Sequence, residues 1–407
     1  MEIEGLLNDG VRSRRAATPL EVLAVFTRLG CTCFGGPIAH LGYFRQEFVV
    51  RRRWLDEESY ADLVALCQFL PGPASSQVGF SIGLLRAGGA GALAAWAGFT
   101  LPSAVLMILF AYGLRWFQQP PWDGALHALK IVAVAIVAQA VLGMARSLAP
   151  DRVRASIATA AALLCLAGSA GQLAAIAAGA VAGLWLSPSD AAAPPRPLAA
   201  TVSTRVAIGA LALFAALLVS LPVLRHISGA PAAAMWEAFY RSGALVFGGG
   251  HVVLPLLRDA VVQPGWVSDD VFLTGYGAAQ AVPGPLFTFA AFLGAVMSIG
   301  PGGAGGGAVA LFAIFLPGLL LVVGALPFWG ALRTRSGARA AMRGVNAAVV
   351  GILAAALYNP VWTSAIHAPR DFALALVAFI LLTAWRAPPV AVVAGAAAAG
   401  AAFSLRF

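Results

Sequence analysis

Long apolar runs dominate the chain, and short polar segments separate them. Five runs approach the roughly 20 apolar residues that a helix needs to cross a hydrocarbon core of about 30 Å: 90–114, 125–146, 203–224, 304–328 and 341–358. Two shorter alanine-rich stretches, 155–187 and 371–405, predict helical hairpins. The pattern predicts an all-α polytopic membrane protein.

The composition agrees with this fold class. Hydrophobic residues make up 60% of the chain and charged residues 11%, which leaves too little polar surface to coat a soluble globule. The net charge of +9 would suit nucleic acid, but the basic residues are spread between the apolar segments, and Lys130 is the only lysine among them. We read that distribution as a topology signal, so the expected partner is the lipid bilayer and not nucleic acid.

The two halves of the chain carry the same landmarks in the same order, which indicates an internal repeat. Arg28, Gly30 and Phe34-Gly35-Gly36 match Arg241, Gly243 and Phe247-Gly248-Gly249 at one constant separation. With a single position dropped from the second half, the landmarks Glu47, Trp54, Gln68 and Pro71-Gly72-Pro73 match Asp259, Trp266, Gln280 and Pro283-Gly284-Pro285. Further on, Leu101-Pro102 matches Leu316-Pro317.

Charges that flank equivalent segments predict that the halves point in opposite directions. Arginine-rich loops stay cytoplasmic, and the first half has Arg51–Arg53 where the second half has the sequence VVQPGWVSDD with no basic residue. This is the pattern of an inverted-topology repeat. The predicted organisation is a cytoplasmic N-terminal segment 1–18, a first repeat 19–187, a cytoplasmic linker 188–202, an extra transmembrane helix 203–225 and a second, inverted repeat 235–407.

The same charges predict two re-entrant hairpins in each half. Arg12–Arg15 and Arg51–Arg53 should share the cytoplasmic face, so residues 20–50 must enter the membrane and return, with Phe34-Gly35-Gly36 near the tip. Residues 60–86 should do the same around Pro71-Gly72-Pro73. The alternative is that glycine and proline merely kink membrane helices for packing.

Broken helices at membrane depth line wet cavities or lie buried in protein, and their N-termini attract anions. The expected substrate-binding positions at the breaks are therefore Gly35, Gly36, Gly72 and Pro73 in the first half, with Gly248, Gly249, Gly284 and Pro285 in the second.

Polar side chains near the breaks add candidates for binding an oxyanion. Arg28 and Arg241 occupy equivalent places and could approach one shared, doubly charged ligand, or each could snorkel or pair with a carboxylate such as Glu47 or Asp259. The remaining candidates are neutral donors that could equally cap helix ends: Gln68, Gln280, Ser75, Ser76 and Thr288.

Four titratable residues are candidates for proton coupling or for counter-ions: Glu47, Asp259, His40 and His251. The histidines could titrate during transport, or they could cap a helix or face water. No metal or cofactor is expected, since Cys31-x-Cys33 has no partner ligands nearby in the sequence. An enzyme is not expected either, because no clustered His/Asp/Glu set, Ser-His pair or nucleotide-type glycine loop is present.

Together these segments resemble the chromate ion transporter family in its long form, with two fused homologous halves. The motifs that carry the resemblance are CFGGPIAHLGYFRQEFV and RRWLDEESYADLVALCQFLPGP in the first half, and VFGGGHVVLPLLRD with AVPGP in the second. The resemblance implies export of chromate from the bacterial cytoplasm across the inner membrane, driven by the membrane potential or a proton gradient. The alternative function is a transporter or channel for another anion, such as the look-alike sulfate, and a homodimer is one open alternative for the oligomeric state.

The second half departs from the first at the breaks. Gly250 stands where the first half has Pro37, and Phe287 and Phe289 replace Ser75 and Gln77. We therefore expect the first half to supply more of the polar contacts.

Overall fold

The computed structural model describes residues 17–117, 123–167, 171–186, 202–248, 250–332 and 334–404, and none of these residues lies in a β-strand. The helices, in chain order, are α1 Pro19–Thr32, α2 Gly36–Phe44, α3 Glu57–Phe69, α4 Ala74–Phe117, α5 Asp123–Leu148, α6 Arg152–Ala167, α7 Gly171–Leu186, α8 Thr204–Ser228, α9 Pro231–Ala244, α10 Val253–Val261, α11 Asp269–Ala281, α12 Phe289–Val296, α13 Gly303–Ala325, α14 Trp329–Leu332, α15 Ser336–Ala356, α16 Pro369–Thr383 and α17 Pro389–Ser404. Short 3-10 or π-helical turns occupy Arg45–Arg51, Gly250–Val252, Leu286–Thr288, Leu326–Phe328 and Leu357–Trp362. The described residues do not include Gly249, the N-terminal segment 1–16 or residues 187–201, which contain most of the predicted linker.

Helices that are long and apolar enough to cross a membrane confirm the predicted fold class. There are five such helices among the described residues: Ala74–Leu114, Asp123–Leu148, Thr204–Ser228, Gly303–Leu332 and Ser336–Trp362. Each corresponds to one of the five apolar runs predicted from the sequence. The alanine-rich stretches form two shorter helices each, α6 with α7 and α16 with α17. The protein is an all-α polytopic membrane protein.

The first helix pair forms a hairpin whose ion pairs fix its register. Arg52 lies 3.0 Å from Glu21, and Arg28 lies 2.6 Å from Glu47. One partner in each pair comes from α1 and the other from the segment 36–52, in reversed order, so the two segments run antiparallel. The chain turns between them at Gly35, whose φ of 99° suits glycine.

The next hairpin turns at the Pro-Gly-Pro sequence. Helix α3 ends at Phe69 and α4 begins at Ala74, and Gly72 between them has a φ of 124°. Helix α4 then reverses at Ala87 and Gly88, which have non-helical backbone angles. Its first arm, 74–86, therefore packs against its second arm, 89–117.

The second half contains the same two turns. In the first hairpin of this half, the Ser242 hydroxyl on α9 donates to the Leu256 carbonyl on α10 across 3.5 Å. In the second, the ring of Phe272 on α11 packs 5.1 Å from that of Phe289 on α12. The chain breaks that carry these turns contain Gly248 and Gly284, and both have positive φ.

The two long helices that follow the hairpins, α4 and α13, run in opposite directions where they contact each other. The hydroxyl of Tyr112, near the end of α4, accepts a hydrogen bond of 2.8 Å from the amide of Ala304, at the start of α13. Trp96, earlier in α4, packs 5.8 Å from Phe315, later in α13. Because contacts late in one helix fall early in the other, α4 and α13 are antiparallel where they meet.

Glycines hold the first hairpin of each half against its long helix. A Cβ atom on Gly243 would lie 2.1 Å from the carbonyl oxygen of Ile314, and one on Gly30 would lie 2.7 Å from that of Gly98. Both glycines therefore permit a backbone approach that no other residue allows, as is common where membrane helices pack.

We expect Gly243→Ala to destabilise the protein by about 1–3 kcal/mol or more, because α9 would have to move away from α13. The measurement is the apparent melting temperature of the detergent-solubilised protein, read by size-exclusion chromatography after heating. Gly209→Ala in α8 is the matched control, because a Cβ atom there would meet no atom within 4 Å beyond its own stretch of helix. Equal melting temperatures for the two variants would contradict the close packing at Gly243.

Candidate functional site

The four helix breaks meet at one place, where two backbone hydrogen bonds join the halves. The amide of Gly72 donates to the carbonyl of Val246 across 2.7 Å, and the amide of Gly284 donates to that of Cys33 across 2.9 Å. In the repeat, Val246 is the counterpart of Cys33, and Gly284 is the counterpart of Gly72. The two bonds are therefore equivalent, and each satisfies a polar backbone group that its own helix leaves unpaired.

Close packing at the breaks explains their glycines. A Cβ atom on Gly72 would lie 2.8 Å from the Gln77 amide nitrogen and 3.1 Å from the Gly318 Cα atom. A Cβ atom on Gly284 would lie 2.8 Å from the Ser103 hydroxyl oxygen. In each case a break in one half packs against the long helix of the other half, since Gly318 belongs to α13 and Ser103 to α4.

Helix N-termini lie at these breaks. Helix α2 begins at Gly36, and its N-cap Gly35 has no side chain to accept from the first turn. The turn at Leu286–Thr288 begins after Pro285 and leads into α12, and its N-cap also provides no side-chain hydrogen bond. Such ends carry free N–H groups and roughly half a positive charge each, so the arrangement suits a negatively charged ligand.

Polar side chains of the first half surround its Pro-Gly-Pro break. Ser75, Ser76 and Gln77 are all buried. The Gln77 amide nitrogen donates to the carbonyls of Pro71 and Gly318, at 2.9 and 3.0 Å. His40, on α2, is also buried, and its Nδ1 atom lies 3.3 Å from the Ser75 hydroxyl. The hydrogen bonds of Gln77 anchor the break to the other half.

The corresponding positions of the second half are aromatic. Phe287 and Phe289 are fully buried, and Phe289 packs 5.8 Å from the ring of Tyr276. The hydroxyl of Thr288, between them, donates to the Pro285 carbonyl at 2.9 Å. His251 lies 2.8 Å from the Tyr276 hydroxyl through its Nδ1 atom. The breaks are thus equivalent in backbone but unequal in chemistry.

Arg28 pairs with a buried carboxylate at the base of its hairpin. The Glu47 carboxylate forms ion pairs with the guanidiniums of Arg28 at 2.6 Å, Arg51 at 3.1 Å and Arg52 at 2.6 Å. Burial alone would raise the pKa of Glu47, but hydrogen bonds from its three arginine partners outweigh that effect and hold the pKa below its ordinary value. The three guanidiniums face Glu47 and, through Arg52, also Glu21, so this corner of the molecule keeps a net positive charge.

Arg241 has a different partner from the one that the repeat suggests. It pairs with Glu237, one turn earlier in α9, and Glu237 also accepts from Arg225 at 2.8 Å. Asp259, the counterpart of Glu47, instead accepts a hydrogen bond of 2.8 Å from Gln263. Burial raises the pKa of Asp259 to about 6, against the opposing effect of nearby Arg258.

The remaining candidates do not form one group. Gln68 is exposed, whereas the amide nitrogen of Gln280 is buried and has no hydrogen-bond partner among the described residues. Cys31 is exposed and Cys33 is buried. No cluster of three or more His, Cys, Asp or Glu side chains that could hold a metal ion occurs in the part of the chain that the structure describes.

Comparison with known proteins identifies the family. The family described as Chromate transporter matches residues 20–184 and 233–401. The chain belongs to the chromate transporter family. It is 30% identical to the chromate transport protein of Pseudomonas aeruginosa over 82% of this chain and 79% of that protein. It is 28% identical to that of Cupriavidus metallidurans, over 93% of this chain and 92% of the relative. No solved structure matches the chain.

The double match confirms the predicted long form of the chromate transporter family, in which two homologous halves are fused. The first matched region contains the breaks at Gly35 and Gly72, and the second contains those at Gly248 and Gly284. Each family unit therefore contributes two breaks to the place where the halves meet.

We expect Glu47→Gln to destabilise the protein by about 1–3 kcal/mol, because three guanidiniums would lose their shared buried counter-charge. Glu57→Gln is the matched control: Glu57 pairs with Arg45 at 2.6 Å, but both side chains are more than half exposed, so its loss should change stability by less than about 1 kcal/mol. The measurement is the melting temperature of the two purified variants. A larger drop in melting temperature for Glu57→Gln than for Glu47→Gln would contradict the stabilising role of the buried Glu47 carboxylate.

Proposed function

We propose that the chain is a secondary transporter that exports chromate from the cytoplasm. The observation that carries the proposal is the pair of equivalent hydrogen bonds, Gly72 to Val246 and Gly284 to Cys33, which brings four helix breaks together between two homologous halves. Transporters built from two related halves bind their substrate at such a junction of broken helices. The substrate is suggested by the relatives, which are described as chromate transport proteins.

The junction supplies what an oxyanion needs. Helices or helical turns begin at Gly36, Ala74, Gly250 and Leu286, directly after the four breaks, and the free N–H groups of such N-termini suit an anion. In this proposal the breaks at Gly35-Gly36, Gly72-Pro73, Gly248 and Gly284-Pro285 surround the anion. The Gly72 and Gly284 amides hold the breaks in place through their bonds to Val246 and Cys33, and the hydroxyls of Ser75 and Ser76 donate hydrogen bonds to the anion. The donors are fixed before the ligand arrives, which lowers the entropy lost on binding.

In this proposal Arg28 and Arg241 attract anions to the two entrances of the transport path. Arg28 shares Glu47 with Arg51 and Arg52, and Arg241 shares Glu237 with Arg225, so each group keeps a net positive charge. The Arg28 side chain is 47% exposed and that of Arg241 is 36% exposed, which leaves their guanidiniums partly available to solvent. Positive groups at the mouth of a cleft raise the local concentration of anions.

The orientation that we infer is an inverted repeat in the bacterial inner membrane with a cytoplasmic N-terminus. Two observations support it: equivalent helices α4 and α13 are antiparallel where they meet, and Arg51–Arg53 has no basic counterpart in the second half. Energy would come from the membrane potential or a proton gradient, and Asp259, His40 and His251 are the candidates for proton coupling.

Counterflow tests the substrate. Proteoliposomes that contain the purified chain and are loaded with unlabelled chromate should accumulate labelled chromate well above liposomes without protein, because exchange needs no net driving force. An excess of sulfate should compete weakly. Failure to exchange chromate, with exchange of sulfate instead, would overturn the proposed substrate.

Cysteine labelling tests the inversion. In a variant whose four native cysteines are replaced by alanine, Arg53→Cys and Gln263→Cys should react with a membrane-impermeant maleimide from opposite sides, because the loops that carry them are equivalent in the repeat. Both positions are exposed. Labelling of both from the same side would contradict the inverted arrangement.

A further inference from the structure

An apolar groove with a volume of about 410 Å³ lies between α6 and α7. On α6 its lining residues recur at helical spacing from Val153 to Leu164, and on α7 they run from Ala175 to Leu186. Among the described residues that line the groove, six of eleven are alanine or glycine, whose small side chains leave space between the two helices. Only Ser156 among them has a polar side chain.

The groove opens away from the rest of the described protein. Its floor is buried and its rim is exposed: the floor includes Ile157, Ala161 and Ala175, and the rim includes Ser156, Ala160 and Ala178. Helix α15 packs beneath the floor, since a Cβ atom on Gly351 would overlap the Ala158 carbonyl oxygen of α6. Gly179 of α7 approaches α15 as closely, at 2.6 Å from a Cβ atom there to that of Ala348. The open side of the groove therefore lies where a membrane protein meets lipid.

The dimensions of the groove suit one lipid chain. Val153 and Leu164 are 11 residues apart, a distance of about 16 Å along a helix. Since a hydrocarbon core is about 30 Å thick, each leaflet contributes about 15 Å, which is nearly the length of the groove. A helix of that length is about 10 Å wide and would fill more than about 1,000 Å³, over twice the volume of the groove. A single extended acyl chain is much narrower than a helix.

An arginine without an ion-pair partner among the described residues lies at one end of the groove. Arg152 is exposed and directly precedes Val153, which lines the groove. Ser156, one turn further along α6, lies on the same side of the helix as Arg152. Arg154 lies on a different side and pairs with Asp151 at 2.5 Å. Because side chains tilt towards the start of a helix, the Arg152 guanidinium extends beyond the apolar stretch towards the headgroup region.

We propose that the groove between α6 and α7 binds one acyl chain of an anionic phospholipid, whose phosphate pairs with Arg152. The groove provides an apolar slot one leaflet deep, and the arginine provides an uncompensated positive charge at its end. Bulk lipid is as apolar as the groove, so a chain that enters it gains little hydrophobic free energy. The charge of the headgroup therefore decides which lipid binds. The site contains none of the helix breaks, so it does not depend on which anion is transported.

Native mass spectrometry of the detergent-purified full chain tests the site. The probes are phosphatidylglycerol, which is anionic, and phosphatidylethanolamine with the same acyl chains, which has no net charge. The wild type should bind phosphatidylglycerol about fivefold more tightly, as expected for one arginine that faces an anionic headgroup.

The groove is tested by Ala178→Phe, with Ala177→Phe as the matched control. Both positions are exposed on α7, but only Ala178 lines the groove. A phenylalanine ring at position 178 would occupy the slot, so Ala178→Phe should weaken phosphatidylglycerol binding by about tenfold or more. Ala177→Phe should stay within about twofold of the wild type, since its ring points elsewhere.

The charge is tested by Arg152→Gln, with Arg154→Gln as the matched control for the loss of one positive charge. Arg152→Gln should remove the preference for phosphatidylglycerol and leave phosphatidylethanolamine binding unchanged. Arg154→Gln should keep the preference, because Arg154 already pairs with Asp151. These variants leave the volume of the groove intact, so they test the site even if Ala178→Phe folds poorly.

Three results would overturn the proposal. The first is equal binding of the two lipids by the wild type, which would remove the role of the headgroup charge. The second is an equal effect of the paired variants, either Ala178→Phe with Ala177→Phe or Arg152→Gln with Arg154→Gln. The third is a change in the number of protomers per particle in Ala178→Phe with lipid binding unchanged, which would make a second copy of the chain the occupant of the groove.

Discussion

A backbone amide or carbonyl that is unpaired inside a membrane costs several kcal/mol, and the rest of this structure depends on how that cost is avoided. Proline and glycine break four helices, and each break frees polar groups that its own helix cannot satisfy. Each half satisfies polar groups of the other, because the Gly72 amide donates to the Val246 carbonyl and the Gly284 amide donates to the Cys33 carbonyl. Each half therefore needs the other to bury its interrupted segments.

That mutual dependence explains why small residues lie where they do. The breaks approach the long helices of the opposite half so closely that a side chain at Gly72 or Gly284 would collide with them. Within each half, Gly30 and Gly243 allow the first hairpin to lie directly on the long helix. Lipid provides little hydrophobic drive for helices to associate, so close backbone contact is the means by which the halves hold together.

Much of this architecture could be predicted from the sequence, because the signals are local. Apolar length identified the five long helices, and Phe-Gly-Gly and Pro-Gly-Pro identified the breaks. The partners of the arginines could be predicted only in part. The sequence offers Glu47 as a partner for Arg28, whereas it gives no indication of Glu237 as the partner of Arg241, because the repeat places Ala24 at the position equivalent to Glu237.

The two backbone bonds between the halves also constrain how the molecule can move. Each bond has one end in each half, and both lie at the same junction, so a displacement of one half past the other alters both at once. Any movement that separates the halves at this junction must therefore break both hydrogen bonds together.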